Sequence, residues 1–156
     1  MTVPALTLID DIRAASRLMV RELGFMEATL AATDYPPSAV HTLLEIGARG
    51  PMTSGQLAEV LHLEKSSISR MVRKLIECGE LKESADADDG RIKRLSLTPK
   101  GRRTLSTIED FARRQVSRAL ERLTENERRT VCEGLTIYAR ALKTDHDAET
   151  ALHPVA

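Results

Sequence analysis

The sequence predicts a mainly α-helical fold interrupted by one small β-hairpin, and three observations carry that expectation. Apolar residues recur at helical spacing through most of the 156 positions. Aromatic residues make up only 3% of the chain and Trp is absent, so a core must be built from Leu, Ile, Val, Met and Ala, which suits packed helices better than layered strands. Between Leu81 and Leu97 the pattern changes to two short strand-like runs around a polar, Gly-containing segment.

The first long amphipathic helix is expected over 6–30, where Ile9, Ile12, Leu23, Met26 and Leu30 alternate with Arg13, Arg17, Arg21 and Glu27. Asp34-Tyr35-Pro36-Pro37 breaks it, and Ser38 is the expected N-cap of a second helix carrying Val40, Leu43, Leu44 and Ile46. Gly47 to Pro51 ends that helix. Thr53-Ser54-Gly55-Gln56 has capping-box spacing and starts a short third helix through Leu61. After the tight connection His62-Leu63-Glu64, a fourth runs from Lys65 to Glu77 until Gly79 stops it. Two short helices joined by so brief a turn form a helix-turn-helix candidate.

The strands Leu81–Ser84 and Ile92–Leu97 follow, with Ala85 to Arg91 as a charged tip. Thr98-Pro99 opens a fifth helix, Thr as N-cap and Pro at the first helical position. Its stripe runs through Leu105, Ile108, Phe111 or Ala112, Val116, Leu120 and Leu123. A second capping box, Thr124 to Glu127, starts the last helix with Val131, Leu135, Tyr138 and Leu142. The stripes on the first, fifth and sixth helices exceed what one small lobe can cover, which implies a partner subunit.

A net charge of zero argues against a polyanionic partner until the charge is divided along the chain. Residues 65–103 carry 11 Lys/Arg against 6 Asp/Glu, while 1–64 carry 4 against 8. The cations are therefore gathered in one quarter of the sequence, the distribution of a nucleic-acid surface. On a helical wheel Ile68, Met71, Val72, Leu75 and Ile76 share an arc of about 140°. Ser66, Ser69, Arg70, Arg73 and Lys74 fall opposite. Small hydroxyls permit close backbone approach, and the cations suit phosphates and base edges. Arg91 at the hairpin tip, with Lys93 and Arg94 behind it, extends the cationic surface. Thr53 and Ser54 stand at a helix N-terminus whose free N–H groups suit anions. The rival class is a winged-helix protein-interaction module with no DNA role.

Lys65-Ser66-Ser67-Ile68-Ser69-Arg70, then Leu75, Gly79 and Leu81, then Asp89-Gly90-Arg91 through Leu97-Thr98-Pro99-Lys100-Gly101 resemble the MarR family of bacterial winged-helix regulators. The resemblance spans nearly the whole chain. It implies a winged helix-turn-helix lobe at 36–101, and a helical dimerisation region from both termini at 6–33 and 104–143. The two belong to one domain over 1–144, and a flexible polar tail is expected over 145–156. It further implies a ligand-responsive repressor that binds a pseudo-palindromic operator as a homodimer. The helix from Lys65, with Ser66, Ser67, Ser69, Arg70, Arg73 and Lys74, is expected to enter the major groove. Arg91 is expected to reach the minor groove, with Asp89 orienting a neighbouring Arg. The family often has a Pro before the wing turn, where this chain has Ala85-Asp86-Ala87. In many relatives an aromatic or amphipathic acid binds beside the dimer helices, and Arg13, Arg17 and His41 are the candidates to line that cleft.

Other chemistries find no support. There is no P-loop, Gly-rich dinucleotide turn or nucleophile motif, so no enzyme activity and no cofactor are expected. Relatives fused to an acetyltransferase domain exist, but no such domain is expected here. His41 and His62 lack metal-ligand spacing, and Asp145-His146-Asp147 reads as polar tail, so no metal site is expected. Cys78 and Cys132 are expected as a helix-end and a helix-packing residue, because the redox-sensing relatives need a Cys in the first helix. Two distant cysteines and no apolar run near the roughly 20 residues of a membrane span suggest a cytoplasmic protein that does not enter the bilayer.

Overall fold

The computed structural model describes the backbone of residues 4–152 and the side chains of 4–143. It contains helices α1 (Leu6–Glu22), α2 (Pro37–Arg49), α3 (Ser54–Leu61) and α4 (Lys65–Glu77). Strands β1 (Leu81–Ala85) and β2 (Lys93–Leu97) and helices α5 (Pro99–Leu120) and α6 (Glu125–Leu152) follow. The mainly helical class with a single hairpin is as the sequence predicts.

Two compact units divide the chain, Met1–Ala112 and Arg113–Ala156. The division falls within α5, whose first turns belong to the lobe. Ile108 is 1% exposed, and Leu105 and Phe111 pack against the same core.

That core gathers one face from each of α2, α3 and α4. Val40, Leu43 and Ile46 come from α2, Leu57 and Ala58 from α3, and Ile68, Val72 and Leu75 from α4. Leu81, Leu95 and Leu97 add the inner positions of the hairpin. The strands are antiparallel, with Leu81 opposite Leu97 and Ala85 opposite Lys93. Met52, just before α3, pairs with Leu95 as a bridge: Met52 N–H donates to Leu95 O at 3.1 Å and Leu95 N–H to Met52 O at 2.7 Å. The wing is thereby tied to the start of α3.

Several boundaries differ from the sequence reading, each for a local reason. α1 stops at Glu22, not near Leu30, because Gly24 takes a left-handed conformation (φ 84°) that closes the helix. The path from there to α2 includes Ala31 and Ala32 at φ 55° and 56°, left-handed conformations that cost L-residues about 1–2 kcal/mol each. Ser38 does not cap α2. Pro36 occupies the N-cap and Pro37 the first helical position, where the missing N–H is not needed. Gly47 lies inside α2, and Gly50 (φ 83°) ends it. Ile76, expected on the apolar arc, is 36% exposed.

In Arg113–Ala156 the capping box at Thr124 forms as expected. Glu127 N–H donates to Thr124 Oγ1 at 3.3 Å, and Thr124 N–H donates to Glu127 Oε2 at 2.8 Å. α6 extends to Leu152, so 145–152, expected as tail, is helical in backbone, while 153–156 lie outside the described residues. No α6 side chain through Lys143 is buried. Cys132, expected to pack, is exposed, whereas Cys78 ends α4 as expected.

Candidate nucleic-acid interface

The helix-turn-helix is made by α3, a three-residue turn and α4. Thr53 caps α3 reciprocally: its hydroxyl accepts from Gln56 N–H at 3.1 Å, and its N–H donates to Gln56 Oε1 at 2.9 Å. His62 turns the chain with a left-handed backbone (φ 52°), and Leu63 N–H closes the corner on Ala58 O at 3.1 Å. α4 then presents its two faces as the wheel implies. Ile68, Val72 and Leu75 are buried, while Lys65, Ser66, Ser69, Arg70, Arg73 and Lys74 are exposed and Ser67 is half-buried. The Ser69 hydroxyl bonds back to Lys65 O at 2.9 Å, which keeps it close to the helix backbone. Thr53 and Ser54 are half-buried at the start of α3.

The C-terminal end of α4 is fixed to α5 by a compact joint. Gly79 (φ 75°) turns the chain, and Glu80 N–H returns to Leu75 O at 2.9 Å. Thr98 then spans the joint: its N–H donates to Glu80 O (3.0 Å), its hydroxyl donates to Gly79 O (2.5 Å) and it accepts from Gly101 N–H (3.0 Å). Glu80 is 2% exposed. Its carboxylate accepts from the Tyr35 hydroxyl at 2.8 Å and lies 3.5 Å from Lys100 Nζ. Burial and the adjoining Glu80 carboxylate drive the Tyr35 phenol far above its ordinary pKa. Sequence reasoning missed this joint, since no local pattern pairs positions 35 and 80.

At the wing, Asp89 Oδ1 accepts from the Arg91 backbone N–H (3.0 Å) and from Arg91 Nε (3.3 Å). The Arg91 side chain is otherwise open, 93% exposed. Asp86, which sequence reasoning also passed over, is the more internal carboxylate. Its Oδ1 accepts from Asp88 N–H (3.0 Å) and Asp89 N–H (3.3 Å), and its Oδ2 accepts from Arg94 Nε. The Arg94 bond, then these backbone donors, hold the Asp86 carboxyl below the usual carboxylate range. An Asp placed two residues before a loop N–H is the signal that was available. Arg94 is thus drawn into the base of the wing, while Lys93 is exposed.

The residues named for a small-molecule cleft are not brought together to the same extent. Arg17 lines an open cleft of about 330 Å³ with Ser16, Val20, Arg21 and Met26. Arg13 pairs with Asp10 at 3.3 Å. His41 stacks on Phe25, ring centroids 5.7 Å apart and 17° between planes. Among the described residues no cluster of His, Cys, Asp and Glu has metal-site geometry, and no helix is long and apolar enough to cross a membrane.

A short helix pair whose second member shows cations outward, followed by a carboxylate-braced hairpin with an Arg at its tip, defines a winged helix-turn-helix. Residues 33–92 match the model of the MarR family. A HTH-type transcriptional regulator of Bacillus subtilis, YdgG, is 26% identical over 103 residues, 65% of this chain and 68% of that protein. A probable transcriptional regulator from Pseudomonas aeruginosa is 27% identical with a TM-score of 0.65, covering 80% of this chain and 93% of its own. FabT of Streptococcus pneumoniae, solved in complex with DNA, shares the fold at a TM-score of 0.76 and 21% identity, over 88% of this chain and 98% of its own. Over residues 33–92, the helix-turn-helix and the wing, the chain is thus similar to the MarR family.

Proposed function

We propose that the protein is a homodimeric repressor that binds a pseudo-palindromic operator in the cytoplasm and is released by a small amphipathic or aromatic effector. The observation that carries the DNA-reading part is the outward face of α4 together with the exposed Arg91 guanidinium. In this reading Lys65, Ser66, Ser67, Ser69, Arg70, Arg73 and Lys74 meet the major groove, and Thr53 and Ser54 meet phosphate at the start of α3. Arg91, held by Asp89, enters the minor groove, whose narrow A·T-rich stretches attract Arg. Lys93 and Arg94 flank it. The domain reading follows: the lobe at 36–101 reads DNA, and segments 6–33 and 104–143 make the dimer. Supporting the dimer, Val131, Leu135, Tyr138 and Leu142 of α6 are 41–51% exposed, an apolar stripe left about half open to solvent. For the effector, the cleft at Arg17 offers an apolar floor from Val20 and Met26 with Arg21 beside it, and Arg13 and His41 are the further candidates.

Selection of bound fragments from sheared bacterial DNA, followed by affinity measured across salt concentrations, tests the proposal. Duplex affinity falling linearly on a log-log plot with salt is expected, because cations displace condensed counterions. Salt-independent or absent duplex binding favours the protein-interaction module instead.

A further inference from the structure

We infer that Asp86 is a positioning residue for DNA binding, which acts through Arg91 by fixing the shape of the wing turn. The inference rests on the reading of the wing as a DNA-contacting element. Three acids, Asp86, Asp88 and Asp89, stand within six residues of a hairpin tip that carries only one cation, Arg91. Each acid near a phosphate backbone opposes binding, so a carboxylate here needs another role. Asp89 has one in its two bonds to Arg91. Asp86 has another, further inside.

The Asp86 carboxylate has 12% relative exposure, and both oxygens are used: Oδ1 collects Asp88 N–H and Asp89 N–H, and Oδ2 takes Arg94 Nε from the returning strand. Asp86 N–H also donates to Ile92 O at 2.9 Å, and Ile92 N–H to Asp89 O at 2.9 Å. These bonds close the turn around a single side chain. The carboxylate orients the Asp89 backbone, Asp89 orients Arg91, and Arg94 neutralises the charge while joining the turn to β2. The turn is thereby made rigid without the proline that relatives often place there, so the Arg91 side chain loses less freedom when it docks.

The sign of the effect separates this role from simple electrostatics. Removing an anion beside DNA by itself tightens binding. Asp86→Ala is instead expected to weaken binding to a labelled duplex carrying the selected site by about tenfold, the scale of losing charge-assisted hydrogen bonds. Asp86→Asn keeps an acceptor for the two backbone N–H groups and loses the Arg94 charge, and is expected to fall between. The double variant Asp86→Ala/Arg91→Ala is expected to bind no more weakly than Arg91→Ala alone, a non-additivity that general destabilisation does not produce. Melting temperatures of all variants, read alongside, are expected to stay within a few degrees of wild type. Unchanged or tighter binding by Asp86→Ala, or additive losses in the double variant, would overturn the positioning role while leaving wild-type DNA binding intact. Wild-type protein with no affinity for any duplex overturns the DNA-binding reading and this role with it.

Discussion

The Tyr35 hydroxyl donates to Glu80 Oε1 at 2.8 Å, across 45 positions of sequence, and so joins the segment before α2 to the residue that leads from α4 into the wing. The other oxygen, Oε2, is buried without a partner. A carboxylate in that situation depends on the bonds it does have, because an unpaired buried polar group costs its full desolvation.

Tyr35→Phe is therefore expected to destabilise the lobe by about 1–3 kcal/mol, measured by denaturant unfolding at neutral pH. Its pH dependence has a definite sign. The Tyr35 phenol is held neutral well above its ordinary value, so its contribution is fully present below pH of about 10 and is lost as pH rises towards the raised value. The gap between wild type and Tyr35→Phe is expected to narrow in unfolding curves above that pH. A gap that widens there would contradict the bond.

Two glycines permit a contrasting pair of substitutions. A Cβ at Gly101 would stand 2.1 Å from the Glu80 backbone oxygen, and one at Gly47 would stand 2.3 Å from Leu105 Cδ2. Backbone cannot move aside as the end of a Leu side chain can. Gly101→Ala is expected to cost about 1–3 kcal/mol or more by overpacking, and Gly47→Ala distinctly less, in paired thermal melts. Because Gly101 sits against the α4–β1 joint, its variant is also expected to bind duplex more weakly at temperatures where it remains folded.

Arg91→Ala is expected to lower duplex affinity and reduce the slope of log affinity against log salt by about one or less, with thermal stability nearly unchanged. The side chain's 93% exposure is the reason for the last expectation, since a solvated group contributes little to folding. Isothermal affinity measurements at several salt concentrations, with a parallel melt, check both halves.

Leu135→Asp tests the dimer. Leu135 is 46% exposed on α6, where its own chain gives no reason for an apolar residue. Sedimentation is expected to show the wild type as a dimer and the variant shifted to monomer, with the mainly helical circular dichroism retained. A wild-type monomer in dilute solution would refute the assembly.

Much of this molecule could be read from local pattern, and what escaped was non-local. The capping boxes at Thr53 and Thr124 form from residues three apart, and the two faces of α4 follow from helical periodicity. The position of Arg91 beyond Asp89 at the tip follows from the polar, Gly-containing segment between two strand-like runs. The Tyr35–Glu80 bond and the Met52–Leu95 bridge depend on tertiary approach, which no spacing rule encodes. Asp86 was readable in principle, but an acid in a cationic segment draws less notice than the cations around it. The end of α1 was missed because apolar residues continue after Gly24 at plausible spacings. The backbone of one glycine outweighed that pattern.

The corner at Ala31 and Ala32 has a consequence for how this sequence could change. Ala31 is buried at 8% exposure and contributes its methyl to the core, but Ala32 is exposed, so the cost of its left-handed backbone is offset by no packing of its own. Glycine at position 32 would hold the same shape more cheaply. A lineage under pressure for heat tolerance therefore has a one-codon route to a firmer joint between α1 and the lobe.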